Sequence, residues 1–211
     1  MTRFVLASAS PARREVLRSA GIDPIVRVSD VDEDAVAAAL PDGTPPDVIV
    51  VELAKAKAAA VAVTILDLSA DHVVVGCDSM LLVDGELQGK PHTAEVARAR
   101  WGEMAGRSAD LVTGHCVLRY RNGELTAEAV DCSSTTVHFA KPEPDELDAY
   151  LATGEPLQVA GAFTLDGLGG WFVDRIEGDP SSVIGIGLPL LRRLLGDVGV
   201  SVTQLWGHPA S

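Results

Sequence analysis

No stretch of the chain approaches the roughly 20 consecutive apolar residues that a membrane-crossing helix needs, so no transmembrane segment is expected among its 211 residues. The opening, Met1 to Leu6, is too short for a secretory signal and lacks its basic-then-apolar order; a cytoplasmic protein is the expectation. Cysteine is scarce. Cys77, Cys116 and Cys132 are scattered and odd in number, with no CxxC or Cys/His zinc spacing. That argues against a disulfide framework and predicts thiols packed in a core. Positive charge is short as well: 17 Lys and Arg stand against 30 Asp and Glu, a formal net charge of −13. A field of that sign disfavours broad binding to nucleic acid or to anionic membrane. It leaves room for a small anionic substrate if a few cations are gathered in one place, often helped by a divalent cation. Three signatures are missing, namely a P-loop, a GxGxxG after a strand and a GxSxG elbow. Their absence argues against typical P-loop, Rossmann and α/β-hydrolase enzymes. With no repeat, linker or low-complexity tract, the length suits one unit, with room for two lobes.

The stretch Val73-Val74-Val75-Gly76-Cys77-Asp78-Ser79-Met80 is the most informative. An apolar β-branched run reads as a buried strand, and it ends abruptly in a carboxylate. Ligands of open α/β sheets gather at the carboxyl ends of strands, although Asp also starts turns. Met80 to Val83, Asp84-Gly85 and Glu86 to Gln88 read as a hairpin with a tight Asp-Gly turn. Lys90 follows, fixed by Pro91, and such a hairpin returns it toward Asp78.

Upstream, Arg3 to Ala7 reads as a strand feeding a helix capped by Ser10 with Pro11 at its first position. The free N–H groups there, with Ser8, Ser10, Arg13 and Arg14, make an anion loop; a solvated helix face is the plainer reading for either arginine alone. The run Asp30 to Asp34 is acidic, and one carboxylate in it suits a divalent cation, but spacing does not choose among the four. Thr44-Pro45 reads as the start of a helix through Val63. Lys55 and Lys57 lie on it two residues apart, so at most one faces a site. A loop from Asp67 leads to the central strand. Further expectations are a helix from Thr93 through Met104, a second hairpin turning at Asn122-Gly123, and a helix over Pro144 to Thr153. A strand over Trp171 to Ile176, a last helix closed by Gly196 and a tail strand over Val200 to Leu205 complete the reading. His115, inside a strand, reads as a packed or hydrogen-bonded residue.

Taken together, Leu6-Ala7-Ser8-Ala9-Ser10-Pro11-Ala12-Arg13-Arg14, Asp32-Glu33, Leu53 to Ala58, Gly76-Cys77-Asp78-Ser79, Gly89-Lys90-Pro91, Thr113-Gly114, Gly154-Glu155-Pro156, Ala160 to Phe163 and Gly187-Leu188-Pro189 resemble the Maf family of nucleoside triphosphate pyrophosphatases. The resemblance runs in order through nearly the whole chain. It implies an α/β fold on an extended twisted mixed sheet with flanking helices, related to inosine triphosphate pyrophosphatases, as a single 1–211 domain whose two lobes flank a cleft. It implies a divalent metal, Mg2+ or Mn2+, and often a homodimer. Asp78 matches the family's catalytic carboxylate. Lys57 and Lys90 match its other catalytic charges, Ser8, Arg13 and Arg14 its phosphate-facing loop, to which Ser10 adds a hydroxyl, and Glu33 a metal carboxylate beside Asp78. Ala12, Ser79 and Asp166 stand where the branch acting on thymidine and uridine triphosphates has arginine, threonine and glutamine, so the preferred base stays open. A nucleotide-binding regulator of septum formation with little turnover is the alternative the family also implies.

Overall fold

The computed structural model describes residues 2–65 and 71–207; the loop expected from Asp67 lies outside them. In chain order the elements are β1 (Arg3–Ala7), α1 (Pro11–Ser19), β2 (Ile25–Arg27), α2 (Glu33–Ala38), α3 (Pro46–Ala62), β3 (Asp71–Val83), β4 (Glu86–Gln88), α4 (Ala94–Met104), β5 (Ser108–Arg121), β6 (Glu124–Phe139), α5 (Pro144–Ala152), β7 (Val173–Glu177), α6 (Pro180–Ile184) and α7 (Leu188–Asp197), with 3-10 turns between. The strands form one open mixed sheet in the order β2-β1-β3-β5-β6-β7, with β4 paired to β3. β1 runs parallel to both β2 and β3, whereas β4 and β7 pair antiparallel with β3 and β6.

Local chemistry accounts for most boundaries. Ser10 caps α1, its hydroxyl accepting from the Arg13 N–H at 3.3 Å, and Pro11 opens the helix. Thr93 caps α4 in the same way. Asp84 and Gly85 have φ of 49° and 91°, and Asn122 and Gly123 have 52° and 83°; two positive φ values in succession are what a two-residue hairpin turn requires. Four expectations are corrected. Thr44 does not cap α3: its hydroxyl donates to the Pro41 carbonyl at 2.6 Å, and the cap position is Pro45. The strand expected from Trp171 begins at Val173, after a 3-10 turn over Leu168–Phe172. The last helix runs through Gly196 to Asp197, and the left-handed residue that ends it is Gly199 at φ 73°. The tail holds a 3-10 turn over Val202–Gln204 instead of a strand.

The chain divides into two compact units, Met1–Asp78 with Thr113–Ser133 and Gly185–Ser211, and Ser79–Val112 with Ser134–Ile184. In the first, strand alternation feeds two clusters. Phe4, Leu6, Val73, Val75, Cys77 and Val117 pack with Leu17 and the leucines of α7. Val5, Ala7, Val74, Cys116 and Leu118 pack with Ala54, Ala58, Val61 and Ala62 of α3. Side chains of β5 hold α7 at both ends. The buried His115 accepts at Nε2 from the Gly187 N–H (2.9 Å), and Arg119 donates from Nη1 to the carbonyls of Val198 and Gly199, both at 2.8 Å. The second unit is built around Trp101, whose ring meets Phe139, Tyr150 and Phe172 edge-on and whose Nε1 donates to the Ala162 carbonyl at 2.9 Å.

Candidate active site

The first unit brings a lysine and two carboxylates together through a glycine. Along β3 the residues that face α3 are Val74, Gly76 and Asp78, by period-two alternation. A Cβ built on Gly76 would lie 2.1 Å from the Ala54 carbonyl oxygen and 2.9 Å from the Ala58 nitrogen. On β5, a Cβ on Gly114 would lie 2.3 Å from the Val50 carbonyl oxygen. The helix therefore rests backbone on backbone against two strands at these two glycines. Lys57 sits in this contact stretch, between Ala54 and Ala58, and is carried to the end of the apolar run of β3.

Lys57 Nζ lies 2.5 Å from Asp78 Oδ1 and 2.8 Å from Glu33 Oε1. The Lys57 and Asp78 side chains are 9% and 6% exposed, that of Glu33 45%. Lys55 points elsewhere, to Glu52 at 2.7 Å and toward solvent. Glu33 opens α2, whose cap Asp32 accepts from the Ala35 N–H at 2.9 Å. Asp78 Oδ2 is buried with no hydrogen-bond partner among the described residues. A buried carboxylate oxygen left unpartnered is costly, and it is free to receive a proton or bind a cation.

The loop from Ser8 to Arg14 is braced by Arg13. Its Nε donates to the Gly185 carbonyl at 2.8 Å, and its Nη1 donates to Ser8 Oγ at 3.1 Å and to the Cys77 carbonyl at 2.9 Å. The guanidinium thus ties the end of β1 to the residue before Asp78. Ser8 is buried and also accepts from the Ser10 N–H at 3.2 Å. Arg14 is exposed on α1. Burial pushes the Cys77 thiol up to about 11, against the pull of Arg13 and Lys57, and pushes Cys116 up to about 12; neither is a nucleophile at neutral pH. His115 is packed, its Nδ1 3.2 Å from the Thr113 carbonyl. Because Nε2 accepts from Gly187, the ring proton sits on Nδ1.

Ser79, Lys90 and Asp166 belong to the second unit. Ser79 is half-buried, and Lys90 and Asp166 are exposed. The hairpin pairs Leu81 with Gln88, so Lys90 follows two residues beyond its last rung. Sequence reading assigned no part to Glu155. Its carboxylate accepts from the Thr164 hydroxyl, the Leu168 N–H at 3.2 Å and the Gly169 N–H at 3.1 Å, gathering the bend that carries Asp166. Burial would raise this carboxyl, but those hydrogen bonds outweigh it and hold it below the usual range. Gly76 and Gly114 also went without a role. Their signal was a glycine inside a β-branched run, which marks close backbone approach.

Among the described residues no group of three or more His, Cys, Asp or Glu side chains is placed to hold a metal. Asp78 Oδ2 and Glu33 instead suit an ion of the magnesium type, which takes one or two carboxylates and completes its shell with phosphate oxygens and water. No helix among the described residues is long and apolar enough to cross a membrane.

The chain is similar over most of its length to named proteins. It is 84% identical over 207 residues to a nucleoside triphosphate pyrophosphatase of Nocardia farcinica, covering 98% of each protein. It is 70% identical to one of Rhodococcus jostii, covering 98% of this chain and 97% of that protein, and 63% identical over 206 residues to one of Mycolicibacterium smegmatis, covering 98% of each. The family model described as Maf-like protein matches residues 3–198. With a match of that extent, the chain belongs to the Maf family.

Proposed function

We infer that this chain is an enzyme that hydrolyses nucleoside triphosphates to the nucleoside monophosphate and pyrophosphate. The relatives' shared name supports the reaction. The observation that carries the residue roles is the buried Asp78, held by Lys57 at one oxygen and unpartnered at the other. In this reading Asp78 Oδ2 orients a water and takes its proton as the water oxygen bonds to the α-phosphorus. The bond from the α-phosphorus to the bridging oxygen breaks, and pyrophosphate leaves with that electron pair. Lys57 holds Asp78 in place through its Oδ1. Lys90 contacts the departing phosphates. Ser8, Ser10 and the N–H groups at the head of α1 bind phosphate oxygens, with Arg13 bracing the loop and Arg14 adding charge. Ser79 and Asp166 read the base. Asp78 and Glu33 would hold a divalent cation, Mg2+ or Mn2+, which when bound neutralises phosphate charge and lowers the pKa of water.

Hydrolysis of a soluble nucleotide fits a cytoplasmic location, and the net charge of −13 fits a protein without nucleic-acid partners. Pairing of two copies completes the reading, and sedimentation tests it. The test of the catalytic role is Asp78→Asn, assayed for pyrophosphate release over a panel of ordinary and modified nucleoside triphosphates with Mg2+ and then Mn2+. Turnover should fall by roughly 10²- to 10⁴-fold, the usual worth of a general base, with circular dichroism showing that the variant is folded, since the Lys57–Asp78 contact it weakens also bears on stability. Near-wild-type turnover would overturn the assignment.

A further inference from the structure

The loop before α4 is held more firmly than a surface turn requires. The Gly89 carbonyl accepts from Arg100 Nη1 at 2.5 Å and from the Gly161 N–H at 3.2 Å, which uses both of its lone pairs. On the other side of Lys90, Pro91 is buried, the His92 N–H donates to the Leu157 carbonyl at 3.0 Å, and the Thr93 N–H closes back on the Pro91 carbonyl at 2.7 Å. Gly161 reaches Gly89 in a left-handed conformation at φ 72°, and a Cβ there would lie 2.8 Å from the Leu81 side chain. The backbone on either side of Lys90 is therefore pinned, while the lysine side chain is exposed.

Arg100 stands out in this arrangement. It is half-buried on α4 beside Trp101, and burial pulls its pKa down, with Glu103 acting in the opposite sense. A cation drawn partly out of water toward a backbone carbonyl, when carboxylates are plentiful, needs a reason beyond charge pairing. We propose that Arg100 is a positioning residue for Lys90, fixing through the Gly89 carbonyl the backbone from which the Lys90 ammonium reaches the phosphates of the substrate. The proposal rests on the reading above, in which Lys90 contacts phosphate.

A double-mutant cycle on the full chain tests it, with kcat and KM for pyrophosphate release as readout and melting as the check on folding. Lys90→Met alone should lose turnover; wild-type turnover there would remove Lys90 from the mechanism and this inference with it. Arg100→Met in the wild-type background should lower kcat roughly tenfold to a hundredfold, the scale of a small misplacement of a catalytic group. In the Lys90→Met background it should change kcat little, because nothing is left to position. Equal losses in both backgrounds, or no loss in the wild type, overturn the inference. If Arg100→Met does not fold, Arg100→Lys carries the same cycle, since it keeps a cationic donor on a different geometry.

Discussion

At the residue scale, the Lys57 ammonium lies between two carboxylates, Asp78 and Glu33. Removing it leaves Asp78 as a buried charge without compensation, which costs about 3–5 kcal/mol in comparable pairs. Lys57→Met should therefore shift the urea midpoint strongly downward. The double variant Lys57→Met with Asp78→Asn should recover a good part of that loss, because the orphaned charge is gone. The thiols supply a second prediction. With Cys77 at about 11 and Cys116 at about 12, a thiol reagent at pH 8 should label the native protein only at the half-buried Cys132. The other two should react after unfolding, as mass spectrometry of labelled peptides would show. That Cys77 and Cys116 would be packed was legible, since each stands in an apolar run; Cys132, between Asp131 and Ser133, is only half-buried and departs from that expectation. Which lysine faces the carboxylate was not legible from spacing: Lys55 and Lys57 occupy similar helical surroundings in sequence, and only the sheet behind the helix tells them apart.

At the element scale, α3 depends on two absent side chains. Gly76→Ala would force a methyl group to within 2.1 Å of the Ala54 carbonyl oxygen, so helix and strand must part. Overpacking of this kind costs about 1–3 kcal/mol, and the displacement falls on Lys57. The variant should lose stability in urea and lose turnover beyond what its residual folded fraction explains. Hairpins and capped helix starts were readable because they obey local rules: Asn-Gly and Asp-Gly pairs favour the two positive φ values of a tight hairpin turn, and Ser10 and Thr93 cap their own helices. Elements whose ends answer to distant partners were not. Thr44 bonds back to Pro41, α7 runs past Gly196 to where Arg119, far back in the chain on β5, receives its end, and the bend bearing Asp166 is shaped by Glu155 from an earlier turn.

At the scale of the whole molecule, Asp71 ties chain segments that are far apart in sequence. It accepts from Arg119 Nε and Nη2, both at 3.1 Å, and from the Thr2 hydroxyl at 2.6 Å. The Arg119 hydrogen bond above all, helped by Thr2 and by nearby positive charge and opposed by burial, holds its carboxyl below the ordinary value of 3.8. A carboxyl whose folded pKa is depressed contributes stability that is present above the unfolded pKa and lost as pH falls through the folded one. Asp71→Asn should therefore lower the melting temperature at pH 7, and the gap to wild type should close as the pH drops below 3.8. Arg119 links this tie to α7, and with His115 it sets a length rule. The two residues stand four apart on β5, about 13 Å by strand rise, and they grip a helix whose caps, Gly187 and Val198, lie about 16 Å apart by helical rise. Strand and helix are thus cut to one another. A single residue inserted between His115 and Arg119 would turn Arg119 to the opposite face of the sheet, and one inserted within α7 would rotate its leucines by about 100°. Lineages of this chain should accept changes of length at the Asn122-Gly123 turn and refuse them in this strand and helix.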